Sequence, residues 1–311
     1  MRTDPADQAD GLRRLLVQAR HGTGSDSNVS EVSGRTRAIT LVAGKHGVGR
    51  TCMTINLAAA LARSGKDVLV LDENDAPRNV ADRLGLYARH DLLDVVRGKC
   101  ALGEAVLSAA GFSVLSTARA GCKLDTTSRH RLENALAEAS GGMDVILVDA
   151  AAPSGNPYAT ASNMVSGTSL LVVVDATASG ITESYALIKR MALEYARVQF
   201  EIVVNKVADE EAAITVFENM ARLARRNLAA RLEYLGCILR DDRLMRATQL
   251  GRPVVEAFPT GTAAQSYMGL AHRLLTMPGR HDGAGTVMRD LLKQALQPQR
   301  RFSREMAHVV N

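Results

Sequence analysis

Tryptophan is absent from this 311-residue sequence, and aromatic residues make up only 4% of it. With a 46% hydrophobic content carried largely by Ala, Leu and Val, that shortage suits a helix-rich α/β protein rather than a β-sandwich. Cysteine is sparse as well. Cys52, Cys100, Cys122 and Cys237 stand far apart, with no C-x-x-C pair and no histidine at zinc-site spacing, which argues against a disulfide framework or zinc module and predicts reduced, cytosolic thiols. No stretch approaches the ~18 uninterrupted apolar residues of a membrane span, and the first residues carry no apolar signal core, so any membrane contact is expected to be peripheral. Charge of neither sign dominates. The formal net charge is +5 and the sequence pI about 9.2, a mild excess that favours acidic partners such as nucleotide, nucleic acid or anionic lipid without choosing among them.

What is present is an alternation. From residue 38 onward, short β-branched runs interleave with helical patterns: AITLVA (38–43), DVLVLD (67–72), FSVLS (112–116), DVILVD (144–149), SLLVVVD (169–175), EIVVN (201–205) and YLGCI (234–238). The pattern predicts a doubly wound, mostly parallel sheet with helices on both faces. Four of the runs end in Asp72, Asp149, Asp175 and Asn205, and strand carboxyl ends are where open α/β sheets bind ligands. The expected organisation is an arm at 1–36, a domain at 37–278, and a terminal helix with a basic tail at 279–311.

Residues 44–51, GKHGVGRT, lie between the first strand run and a helical stretch, TCMTINLAAALARSG. Strand, glycine-rich turn and helix is the arrangement in which backbone N–H groups and a helix N-terminus cradle phosphate oxygens. The pattern GxxxxGK[ST] fits at Gly44, Gly49 and Thr51, but Arg50 occupies the lysine position. Arginine keeps the charge but is a wide planar fork where lysine is a compact point charge. Weakened or re-posed nucleotide is expected, with a ligand-free strand-to-helix connection as the bland alternative. Cys52, at the helix start, reads either as a packing residue or as a thiol of lowered pKa.

Lys45, directly after the first glycine, makes the loop resemble the deviant Walker A sequence of the MinD/ParA ATPases, KGGxGK[ST]. The resemblance runs through residues 38–276. DVLVLD resembles the strand before the family's first switch, DVILVDAAAPSG its second switch, VVNK its adenine-contacting strand end, and LGCILRDDRLMRATQLGRPVVE its stretch IPxD…A…GxPV. It implies a P-loop fold, ATP with Mg²⁺ as cofactors, and homodimerisation on ATP binding, with Lys45 reaching the partner's nucleotide. Residue by residue, it assigns Gly44, Lys45, Gly47, Val48, Gly49, Arg50, Thr51 and Cys52 to the phosphates. Asn205 and Lys206 fall to the adenine, Thr51 and Asp149 to Mg²⁺, and Asp72, Asn74 and Lys45 to catalysis. This sequence departs from the pattern at His46, Arg50 and Asn74, and its second switch is one residue longer. An amide at Asn74 orients water but cannot take its proton, so hydrolysis is expected to be slow. Asp75 is a partial substitute.

The tails resemble one branch of that family, the FlhG/FleN regulators of flagellar number and placement. Asp7, Gln8, Ala9, Leu12 and Arg13 match their DQAxxLR element, which implies docking to an FlhF-type GTPase. An amphipathic helix packed on its own domain is the alternative. Val287, Met288, Leu291, Leu292 and Leu296 recur at helical spacing. The resemblance makes that helix a reversible inner-membrane anchor, against the alternative of covering its own sheet. A flagellar transcription activator is a further partner that the resemblance suggests. A nucleotide-free scaffold and a ParA-type DNA-partitioning ATPase are the competing functions. No specific nucleic-acid partner is expected, and RLARRN (222–227) reads as a solvated helix face.

Overall fold

The computed structural model describes residues 36–74, 77, 79–117, 126–150, 169–195 and 197–277. Asp7 to Arg13, Asp75, the second switch beyond Ala150 and the helix at 286–296 lie outside the described residues. The elements are β1 (Arg37–Val42), α1 (Arg50–Arg63), β2 (Val68–Asp72), α2 (Val80–Arg83), α3 (Leu92–Val96), α4 (Leu102–Ala105), β3 (Val106–Ala109) and β4 (Phe112–Ser116). There follow α5 (Thr126–Ser140), β5 (Val145–Asp149), β6 (Ser169–Asp175), α6 (Ala178–Tyr195), β7 (Gln199–Val207), α7 (Glu210–Leu228), β8 (Arg231–Leu239), α8 (Asp242–Gln249), α9 (Val254–Ala257) and α10 (Thr262–Thr276).

The strands form one eight-stranded sheet in the order β3-β4-β2-β5-β1-β6-β7-β8, parallel except where β3 runs antiparallel to β4. Neighbouring residues of a strand point to opposite faces, and here both faces are covered. Ile39, Leu41, Val70, Leu147 and Val173 pack under α1 and α10. Their neighbours split between two clusters on the other side. Leu69, Leu71, Ile146 and Val148 meet α3 and α5, while Leu170, Val172, Val174 and Ile202 meet α6 and α7. Two-sided burial is why these strands read as unbroken apolar runs rather than as alternations.

β1 lies between β5 and β6, so the chain builds the sheet outward from it in both directions. That reversal opens a crevice above the strand ends. Register brings Asp72 opposite Asp149 and Asp175 opposite Asn205, placing all four polar strand ends at its rim.

One strand was not expected. β3 is a short, half-exposed edge strand joined to β4 through Ala110 (φ 51°) and Gly111 (φ 81°), two left-handed residues that suit a tight hairpin. Arg222, Arg225 and Arg226 are exposed on α7, whose Ala213, Met220, Ala221 and Ala224 face the core, in keeping with a solvated face. Among the described residues, no helix is long and apolar enough to cross a membrane.

Candidate functional site

The loop between β1 and α1 is held from two sides. Gly44 lies so close to α6 that a Cβ there would meet the Glu183 carbonyl at 2.3 Å and the Ser184 nitrogen at 2.5 Å. Gly49, the N-cap of α1, has φ 98°, and a Cβ on it would lie 2.5 Å from Asn205 Nδ2. Both glycines are therefore steric requirements. His46, which stands where the resemblance expects glycine, is exposed and is not among the left-handed residues, so it costs the backbone nothing. The first amide that the α1 ladder uses is Met53 N–H, donating to Gly49 O at 2.8 Å. The preceding amides of the turn have no backbone acceptor among the described residues, as an anion-binding helix start requires.

The end of β7 clamps the same loop. Asn205 Nδ2 donates to Val48 O at 2.7 Å, and its Oδ1 accepts from Lys206 N–H at 2.9 Å. Lys206 adopts φ 61° at an irregularity in the β7–β8 register. From there its ammonium reaches Gly47 O at 2.7 Å and Asp175 Oδ2 at 2.9 Å. Burial works to raise the Asp175 carboxyl, but the Lys206 ammonium and the Thr177 amide outweigh it and hold the group below its usual range. Lys45 points along the surface to Ser179 Oγ at 2.7 Å.

At the β2 and β5 ends the substituted residues meet. Arg50 Nε lies 2.9 Å from Asp149 Oδ1, and Arg50 Nη2 donates to Asn74 Oδ1 at 2.7 Å. Asp149 also accepts from Thr51 Oγ1 (2.8 Å), Thr54 Oγ1 (3.0 Å) and Asn74 Nδ2 (2.6 Å). Asn74 donates further to Asp72 Oδ1 through its side chain at 3.2 Å and its backbone at 3.1 Å, while Asp72 Oδ2 accepts from Val80 N–H at 2.7 Å. Burial, then the nearby Asp149 charge, raises the Asp72 carboxyl to about 7. The two departures from the loop and switch patterns are thus one structural unit: Arg50 and Asn74 bond each other and share Asp149.

The residues fit a triphosphate: glycines required by close approach, open amides and a helix N-terminus converge on the crevice. A magnesium ion fits less well. Thr51 and Asp149, to which the resemblance assigns it, are side by side, but the Asp149 carboxylate is already met by four donors, one of them a cation.

A family model described as the CobQ/CobB/MinD/ParA nucleotide binding domain matches residues 39–254. The chain belongs to this MinD/ParA family. Among its relatives, antiactivator FleN of Pseudomonas aeruginosa is 30% identical over 246 residues, 78% of this chain and 87% of FleN. Flagellum site-determining protein YlxH of Helicobacter pylori is 25% identical over 249 residues, 78% of this chain and 83% of YlxH. Among solved structures, the MinD cell division protein of Aquifex aeolicus matches with a TM-score of 0.60 at 26% identity, covering 79% of this chain and all of that one.

Gly44, Lys45, Gly47, Val48, Gly49, Arg50 and Thr51 form one loop, and Asn205 and Lys206 bond it at the Val48 and Gly47 carbonyls. Arg50 joins Asn74 and Asp149, and Asn74 links Asp72 to them. Cys52 departs from the low-pKa alternative, since burial pushes its thiol up. Thr54 was missed, although its place three residues after Thr51 puts it on the same helix face. Asp175 had been marked only as a strand end. Its clasp with Lys206 depends on a left-handed lysine that nothing in the sequence signals.

Proposed function

We propose that the chain is a MinD-type, nucleotide-responsive regulator of flagellar assembly, number and placement. The observation that carries this is the 30% identity to antiactivator FleN over 78% of the chain, and the flagellar relative YlxH supports it. In this reading ATP binds with its phosphates on the turn at Gly44–Gly49 and its base at Asn205. ATP draws two copies together through Lys45, and the dimer presents the N-terminal DQADGLR segment to an FlhF-type GTPase. The terminal helix around Leu291 and Leu292 touches the inner membrane, weakly per copy and more firmly in pairs. Restraint of a flagellar transcription activator is a second output of the same dimer.

Hydrolysis is slow. Positioned general bases contribute roughly 10²–10⁴-fold, and Asn74, its carbonyl oxygen taken by Arg50, accepts no proton from water. Arg50, turned toward Asp149, is not placed as a free phosphate clamp. That orientation also favours a second reading, a nucleotide-free scaffold.

The reading is tested by adding the full chain to the FlhF-type GTPase of the same cell and measuring GTP hydrolysis. Stimulation that is lost in Gln8→Ala, with the fold intact, is the expected result. No stimulation by the wild-type chain overturns the proposed partnership.

A further inference from the structure

We propose that the Arg50 guanidinium takes the place of the magnesium ion, so that this chain binds its nucleoside triphosphate without a metal. The inference rests on the nucleotide-binding reading above. A carboxylate offers about four lone-pair positions, and in Asp149 all four are met. Oδ1 accepts from Arg50 Nε at 2.9 Å and Thr54 Oγ1 at 3.0 Å. Oδ2 accepts from Thr51 Oγ1 at 2.8 Å and Asn74 Nδ2 at 2.6 Å. The carboxylate is fully buried and the Arg50 side chain only 11% exposed, so neither is held by chance at the surface. Thr51 keeps a lone pair for a metal, but the acid that would order the metal's water shell has none left.

Charge points the same way. A buried acid needs a cation, and the guanidinium already supplies one, locked by its second bond to Asn74 Oδ1 at 2.7 Å. A divalent ion brought to the same carboxylate would face that fixed positive charge. Asn74 is part of the device: an aspartate there would offer no N–H to Asp149 Oδ2. The two substitutions together convert a metal-binding corner into an internally neutralised one. The triphosphate is then left to the open amides of the turn and the N-terminus of α1, beside a corner that is already neutral.

The test uses the full chain and a fluorescently labelled ATP analogue, followed by anisotropy at constant ionic strength in excess EDTA and in excess Mg²⁺. Wild-type affinities that differ by less than fivefold between the two conditions support the proposal. A loss of fivefold or more on chelation overturns it and leaves the proposed function standing. No binding in either condition overturns both. The Arg50→Lys/Asn74→Asp double variant is expected to bind at least tenfold more weakly in EDTA than in Mg²⁺. A double variant indifferent to the metal contradicts the assignment to these residues. If that variant does not fold, the wild-type comparison still decides.

Discussion

Replacing Asn74 with aspartate alone probes the corner most sharply, because it changes one atom and leaves the shape intact. Asn74 Nδ2 donates to Asp149 Oδ2 at 2.6 Å and to Asp72 Oδ1 at 3.2 Å. Hydrogen bonds to charged groups are worth roughly 1.5–3 kcal/mol each, so losing both removes about 3–6 kcal/mol. The variant also sets a third carboxylate among Asp72 and Asp149, a repulsion that Arg50 offsets in part by gaining a charged partner. The net cost is therefore at least the about 3–6 kcal/mol of the lost hydrogen bonds, since the opposing charge terms are of similar size, about 4 kcal/mol each at ~4 Å and an effective dielectric near 20. At about 2–4 °C per kcal/mol, Asn74→Asp should melt roughly 6–24 °C below wild type at pH 8. The sign with pH is fixed. Like-charge neighbours raise the new carboxyl's folded-state pKa above its unfolded value, so the penalty is complete at high pH and fades as acid protonates the group. Melting curves by circular dichroism at pH 8 and pH 5 read both features. Equal melting temperatures at pH 8, or a deficit undiminished at pH 5, would refute the network as drawn.

Other consequences follow from the same geometry. Asp72 is raised to about 7 by burial and by Asp149, so the native state holds a proton that the unfolded state gives up near 3.8. Stability should fall as pH rises toward and through 7, by at most ~1.4 kcal/mol per pH unit, and denaturant midpoints of Asp72→Asn should lose that slope. Gly44→Ala would press a methyl into the Glu183 backbone at 2.3 Å, so labelled-ATP affinity should drop at least tenfold; unchanged affinity would contradict the close approach. Among the described residues, Lys45 meets an exposed Ser179 hydroxyl at 2.7 Å. Lys45→Ala should keep monomer stability and nucleotide affinity but lose ATP-dependent dimerisation in sedimentation velocity, and a dimer that survives would remove Lys45 from that role.

The central strands were legible because sheet burial on both faces turns them into continuous apolar runs; Val145–Asp149 and Ser169–Asp175 stand within one residue of their sequence readings. β3 was not, because its residues are half-exposed and follow a helical turn directly, so neither alternation nor an apolar run marks it. At the site, Arg50 and Asn74 were each visible as departures from a family pattern. Their partnership was not, since 24 residues separate them and only the register of β2 beside β5 brings Asn74 up to Asp149. Lys206 was assigned to the base by position. Its grip on the Gly47 carbonyl follows from a positive φ that sequence reasoning reserves for glycine or asparagine.

All of this depends on the turn at Gly44–Thr51 accepting a triphosphate even though its guanidinium is committed to Asp149. Isothermal titration of the full chain with unlabelled ATP tests that directly. One saturable site per chain, filled below millimolar nucleotide and competed by ADP, is the expected result. Absence of binding at millimolar ATP, in a protein that melts cooperatively, would contradict the account and leave the fold as a nucleotide-free platform.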